Sequence, residues 1–175
     1  MISKTGSTIA AVVDLFAGAG GLGVGAQSAG GEVRLSVELD PTACQTIRAN
    51  LGEASPSHAV LEADVTSLRG MQLRQSAGLS KSDLLVVVGG APCQPFSKAA
   101  YWTEAGDDAA YRRARAAGIN GIVRPAAPTV PRADSRRNLV EYFARLVVQS
   151  KADAFVFENV PSILTLVTGR CLMPL

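Results

Sequence analysis

Cysteine and histidine are scarce in this chain of 175 residues, and each scarcity narrows what the protein can be. The three cysteines, Cys44, Cys93 and Cys171, share no Cys-x-x-Cys spacing, and His58 is the single histidine. A disulfide framework and a zinc centre both need more than this, so no metal site is expected. No apolar run is long enough to cross a bilayer, and Met1 to Ala11 lacks the basic start and apolar core of a secretory signal. A cytoplasmic protein with no membrane partner is the expectation. The net charge of +2 is too small to point to a polyanion. An apolar share of 47% is ordinary for a globular protein, and the length suits one domain with a sizeable core.

Against that plain background one stretch stands out, Leu84 to Ser97, LLVVVGGAPCQPFS. Leu84 to Val88 are consecutive apolar β-formers, the pattern of a strand buried on both faces as in a parallel sheet. Gly89 and Gly90 end it, and a single thiol, Cys93, follows just past its carboxyl end. Ligands of open α/β sheets bind at that edge. Pro92 fixes its own φ and Pro95 restricts Gln94, so the turn that holds the sulfur is stiff. Stiffness suits a nucleophile, because attack geometry is lost with small displacements. Taken alone, a free cysteine is more often an inert buried hydrophobe.

The amino-terminal residues set up a second site at the same kind of edge. Ile9 to Phe16, IAAVVDLF, reads as a buried strand, and GAGGLGVG follows it. Gly18, Gly20 and Gly23 satisfy G-x-G-x-x-G, and Gly20 to Ala29 can open a helix. The glycines allow a sharp turn and a close approach of ligand to backbone. A second strand, Val33 to Val37, ends in Glu38, where a carboxylate commonly accepts hydrogen bonds from ribose hydroxyls. This is a nucleoside-binding βαβ unit, and it fits NAD as well as S-adenosylmethionine.

Further carboxylates end further strands. Pro41 to Leu51 fits a helix with Ala43, Ile47 and Leu51 on one face and Cys44 in the core, stopped by Gly52. His58, alone in a polar loop, reads as a surface residue. A short strand, Ala59 to Ala63, delivers Asp64, which either caps the turn at Thr66-Ser67 or faces a ligand. Residues 65–83 are a helix or loop connection. From Lys98 to Ala133 the chain is irregular, with one short helix at Asp107 to Ala117, and a stretch of this length reads as a functional lid or as disorder. Asp134 or Ser135 then caps a helix that carries Leu139, Phe143, Leu146 and Val147 on one face. A fifth strand, Ala154 to Phe157, ends in Glu158-Asn159-Val160-Pro161, and its apolar setting would desolvate Glu158 and favour acid chemistry there. Between Tyr111 and Arg137 seven arginines stand against one acid, Asp134, a balance of +6. Such a run is either a solvated face or a phosphate contact, which Arg suits through its bidentate fork.

The string GGAPCQPFS resembles the catalytic motif of the DNA (cytosine-5) methyltransferases, Gly-Pro-Pro-Cys-Gln-x-Phe-Ser, with Ala91 in place of the first proline. Glu158-Asn159-Val160 resembles that family's Glu-Asn-Val motif, and Asp134-Ser135-Arg136 with Leu139 resembles another. The matched segments run in family order over residues 13 to 164. The resemblance implies an α/β, Rossmann-like S-adenosylmethionine-dependent methyltransferase fold, a mostly parallel sheet with helices on both faces and its carboxyl-terminal strands missing. It implies transfer of a methyl group from S-adenosylmethionine to carbon 5 of cytosine in double-stranded DNA. In that reading the Cys93 thiolate adds to carbon 6, Glu158 holds or protonates N3, and Asn159 orients the turn. The target base is flipped out of the duplex to reach the sulfur. Phe16, Gly18, Gly20, Gly21, Glu38, Asp64, Pro92 and Leu139 would hold the cofactor, with Asp64 facing the adenine amino group. Ser97, Arg132, Arg136 and Arg137 would meet the DNA, and 98–133 would be the loop that closes on it.

Other family motifs are not found. The Gln-x-Arg-x-Arg strand motif, the target-recognition region and a late Asn-containing motif do not follow Pro161, and Thr165 to Leu175 resembles nothing in the family. Residues 1–164 therefore read as a partial catalytic domain with five strands of a larger sheet, and 165–175 as a divergent tail. A truncation, a frameshift and one half of a split enzyme, completed by a second polypeptide, all remain open. So do two other functions, a nicotinamide-dependent Rossmann oxidoreductase and a DNA-binding module without turnover.

Overall fold

The apolar runs of the sequence become five parallel strands. A computed structural model describes residues 9–51, 57–96, 107–123 and 134–163. The chain divides into two compact units, Met1–Pro92 with Asn138–Glu158, and Cys93–Arg137 with Asn159–Leu175. In the first unit β1 (Ala11–Leu15), β2 (Glu32–Glu38), β3 (Ala59–Glu62), β4 (Leu85–Gly89) and β5 (Ala154–Phe157) form one sheet in the order β3-β2-β1-β4-β5. Every neighbouring pair is parallel. The order reverses between β1 and β4, which opens the crevice where doubly wound sheets bind ligands.

Helices cover both faces. On one face α3 (Gly70–Ser76) and α5 (Leu139–Ser150) bring Leu73, Phe143 and Leu146 against Val13, Leu15, Leu35, Val37, Leu85 and Val87. On the other, α1 (Gly21–Ser28) brings Leu22 and Ala26 against Val12, Val33 and Val88. The helix α2 (Pro41–Leu51) buries Cys44 and Ile47 completely. Each such large apolar side chain contributes about 1.5–3 kcal/mol when removed from water.

Strict alternation would put Val33, Leu35 and Val37 on one face. Instead Val12 pairs with Val33 while Val13 pairs with Leu35, so β2 carries one extra residue, Arg34, at a bulge. The bulge sends Val33 into the smaller core and Leu35 and Val37 into the larger one. Seven residues thereby serve two faces.

Several boundaries differ from the sequence expectation: β4 starts at Leu85 and takes in Gly89, β2 extends to Glu32 and Glu38, and β3 ends at Glu62. The first strand starts at Ala11, since Ile9 is 60% exposed. The connection after Asp64, expected as helix or loop, holds a 3-10 turn, Val65–Ser67, and then α3, in keeping with that reading. Neither Asp134 nor Ser135 caps α5. Ser135–Asn138 is a separate 3-10 turn, which Asp134 caps by accepting the Arg136 N–H at 2.9 Å, and α5 begins only at Leu139.

At the far side of the described sheet, β5 pairs with β4 alone. Phe157 and Phe155 meet the Phe143 ring at centroid distances of 4.8 Å and 6.2 Å. Phe155 and Val156 are nonetheless 60% and 52% exposed. The second unit holds a 3-10 turn, Gln94–Phe96, and α4 (Asp107–Ala116), one residue shorter than expected. No helix among the described residues is long and apolar enough to cross a membrane. Ser97, Arg132, the tail 165–175 and much of 98–133 lie outside the described residues.

Candidate functional site

A cavity of about 240 Å³ opens where the strands of the first unit release the chain, and Phe16, Glu38, Asp64, Pro92 and Leu139 all line it. Each reaches it from a different element. Phe16 follows β1, Glu38 ends β2, Asp64 follows β3, Pro92 follows β4 and Leu139 opens α5. Sequence reasoning missed Val37, Leu39, Ala63, Val65 and Gly90, which complete the lining.

The glycine loop shapes this cavity without lining it. Phe16 and Gly18 both take positive φ, 58° and 54°, a conformation costly for any residue with a Cβ. The turn aims the Gly18 N–H at Glu38 Oε2, 2.7 Å away. Glu38 Oε1 accepts from Leu39 and Asp40 N–H at 2.7 and 2.9 Å. Three backbone donors thus fix one carboxylate, and Oε2, which accepts only one of them, keeps a further lone pair for a ligand hydroxyl. Gly20, also at positive φ, is the N-cap of α1, and Gly21 is its first residue.

Asp64 caps its turn and also lines the cavity. Its Oδ1 caps the turn by accepting the Thr66 N–H at 2.8 Å. Among the described residues Oδ2 has no partner, so the second oxygen is available beside the cavity. Cys44 is core, as expected, and burial pushes its thiol up. His58 is not a plain surface residue. It is half-buried with Nε2 2.8 Å from Ser36 Oγ, and burial lowers its basicity.

Asp14 is a further residue that the sequence reading passed over. It lies in the middle of β1, fully buried, and its Oδ2 accepts the Gly23 N–H at 2.9 Å beneath the glycine loop. Among the described residues its Oδ1 is buried without a partner. Burial pushes its carboxyl up to about 7, against the Gly23 bond and with the Glu38 charge adding. The signal was legible as one acid inside an otherwise apolar strand.

Glu158 leaves β5 with its N–H on the Gly89 carbonyl at 2.9 Å. Its side chain is exposed, so the desolvation expected from the apolar flanks does not occur in this chain. The reason is topological: β5 is the outer strand of the described sheet and no neighbour shields its end. Gly90 matters here, because a Cβ on it would stand 3.0 Å from Glu158 Oε2.

In the second unit the turn after the half-buried Cys93 is clamped from two sides. The Phe96 N–H closes it on the Cys93 carbonyl at 2.9 Å. Arg137 Nη2 donates to the Pro95 carbonyl at 3.1 Å, and Ser162 Oγ donates to the Phe96 carbonyl at 2.6 Å. Pro95 and Phe96 are buried. Arg137, expected at DNA, therefore spends part of its guanidinium inside the protein, and Arg136 is exposed but paired with Asp134 at 2.6 Å. That pairing holds the Asp134 carboxyl at about 2. Asn159 Oδ1 accepts the Val160 N–H at 2.9 Å.

A family model for the C-5 cytosine-specific DNA methylases matches residues 10–112, more than half of the chain. The chain belongs to this family. Similar proteins include the type II methyltransferases M.XorII of Xanthomonas oryzae pv. oryzae, 34% identical over 85% of this chain, and M1.HphI of Haemophilus parahaemolyticus, 35% identical over 90%. M.AquIA of Picosynechococcus sp. is 30% identical over 92% of the chain. The chain spans 27%, 34% and 52% of M.XorII, M1.HphI and M.AquIA respectively, about half of the relatives' length or less. A solved structure described as a DNA modification methyltransferase encoded within an E. coli prophage superposes with a TM-score of 0.61 at 29% identity, over 91% of this chain and 35% of its own. The fold of the chain is therefore the Rossmann-like methyltransferase fold.

Proposed function

We propose that this chain is the cofactor-binding and nucleophile-bearing part of a DNA (cytosine-5) methyltransferase. One observation carries the reading: the family-motif positions Phe16, Glu38, Asp64, Pro92 and Leu139 converge on one cavity, and the residue after Pro92 is Cys93.

The donor set fits S-adenosylmethionine. Glu38 suits the ribose diol, the free oxygen of Asp64 suits an adenine amino group, and Phe16, Val65 and Leu139 suit the flat ring between them. When bound, S-adenosylmethionine supplies a methyl group activated on a sulfonium for carbon 5 of cytosine. The chain's own work is to make that carbon nucleophilic. Cys93 thiolate bonds to carbon 6 and pushes the ring electrons toward carbon 5, while Glu158 holds or protonates N3 and stabilises the displaced charge. Loss of the carbon 5 proton then restores the double bond and expels the thiolate. Asn159 orients the turn beside Glu158.

Double-stranded DNA is the partner this chemistry requires, with the base flipped out of the stack. The exposed Arg113 and Arg115 of α4 and the exposed Arg136 would meet phosphates, together with Ser97, Arg132 and Arg137. Residues 1–164 then form the partial catalytic domain and 165–175 its divergent end.

Calorimetry with S-adenosylhomocysteine and NAD tests the reading. Binding of S-adenosylhomocysteine with little or none for NAD is expected; tighter binding of NAD overturns it.

A further inference from the structure

The wall of the cavity that carries Asp64 stands at the edge of the sheet. Ala63, Asp64 and Val65 leave the sheet from β3, which has only four residues and pairs with β2 alone at the sheet edge. The following turn closes on itself, with Ser67 N–H and Ser67 Oγ both donating to the Asp64 carbonyl, at 3.0 and 2.8 Å. Those local bonds give the turn its shape. The Ala63 N–H on the Glu38 carbonyl at 2.9 Å ties the start of the segment to β2, but neither bond set ties the turn to the Leu139 wall.

The tie to α5 falls to Arg145. Its Nη2 donates to three carbonyls of the turn, Val65 and Thr66 at 3.3 Å and Leu68 at 2.9 Å, from nearly eighty residues away in sequence. The guanidinium carbon sits 4.6 Å from the Tyr142 ring centroid, so an aromatic face holds the plane of the fork. Both residues belong to α5, whose first residue, Leu139, lines the same cavity. One rigid helix therefore supplies one wall directly and tethers the wall that carries Asp64.

We infer that Arg145 is a positioning residue that sets the cavity's preference for an amino-bearing purine by holding Asp64 at a fixed distance from the Leu139 wall. The inference rests on the cofactor reading above. The physical reason is a difference in tolerance. A hydrogen bond from an amino group to Asp64 Oδ2 weakens steeply with small displacements, whereas apolar contact with Phe16, Val65 and Leu139 survives them. Loss of the tether should therefore cost discrimination more than it costs general affinity. Lysine is a poor substitute, because an ammonium cannot lie flat on Tyr142 and so loses the contact that fixes where its donors point.

The test uses the 175-residue chain and two ligands, S-adenosylhomocysteine and S-inosylhomocysteine, which differ by an amino group against a carbonyl on the purine. The wild type is expected to favour the adenosyl compound by about tenfold or more, the worth of one well-placed hydrogen bond to a carboxylate. Arg145→Ala should bring the ratio close to one, added guanidinium ion should restore it, and Arg145→Lys should not. If Arg145→Ala fails to fold, Tyr142→Leu gives the second measurement, with the ratio expected to fall part-way. A ratio that stays at the wild-type value in the folded variant, even with both affinities lowered equally, overturns the role of Arg145 alone. A wild type that binds neither compound overturns the cofactor reading, and this inference falls with it.

Discussion

Oε2 of Glu38 accepts the backbone N–H of Gly18 at 2.7 Å, across twenty residues of sequence. The same carboxylate holds Leu39 and Asp40 through its other oxygen. It therefore locks the loop after β1 to the end of β2 before any ligand arrives, so that less ordering remains to be done on binding.

Glu38→Gln separates these roles. The glutamine amide offers one acceptor oxygen where the carboxylate offered two, so either the Gly18 or the Leu39–Asp40 side is released. Affinity for S-adenosylhomocysteine should fall by about tenfold or more, and the melting temperature by about 3–6 °C. Calorimetry and a thermal melt check both; unchanged values in both would show that the lock has no energetic weight.

Asp14 predicts a pH dependence of stability. Its folded value is raised to about 7, whereas an unfolded Asp titrates near ~4. A raised carboxyl contributes stability that is fully present below about pH 4 and is lost as pH rises through about 7, at a slope of up to ~1.4 kcal/mol per pH unit. Asp14→Asn keeps an acceptor for Gly23 and removes the charge. Urea unfolding across pH 4 to 8 should show a flatter profile for the variant than for the wild type; parallel profiles would refute the assignment.

Cys93 should form a lasting thioether with duplex DNA that carries 5-fluorocytosine, assayed with the remaining family motifs supplied, because fluorine blocks the final proton loss. Cys93→Ala should abolish the adduct and leave S-adenosylhomocysteine binding intact. An adduct that survives the substitution, or one mapped to Cys44, means that the nucleophile is another residue.

The exposed apolar side of β5 should make the isolated chain self-associate, since an open edge strand pairs readily with another chain. Val156→Lys places a charge on that strand, and sedimentation velocity should show less association than for the wild type. Equal association in the two proteins would locate the contact elsewhere.

The sequence by itself determined the five strands, their parallel character and the acids that end them. Unbroken apolar runs, glycine stops and strand-end carboxylates are local signals, and Ala154–Phe157 and Pro41–Leu51 stand where those signals put them. Family motifs in order then pointed to the chemistry. Tertiary structure alone decided the relations between segments that are distant in sequence. The bulge at Arg34, which divides β2 between two cores, depends on how β1 and β2 pair and leaves no mark in β2 taken alone. The reach of Arg145 to three carbonyls exists only once α5 crosses the sheet face beside the Asp64 turn. Glu158, with sequence flanks that suggested burial, is exposed, because solvation at a strand end is set by which strand stands beside it, and that is a property of the sheet.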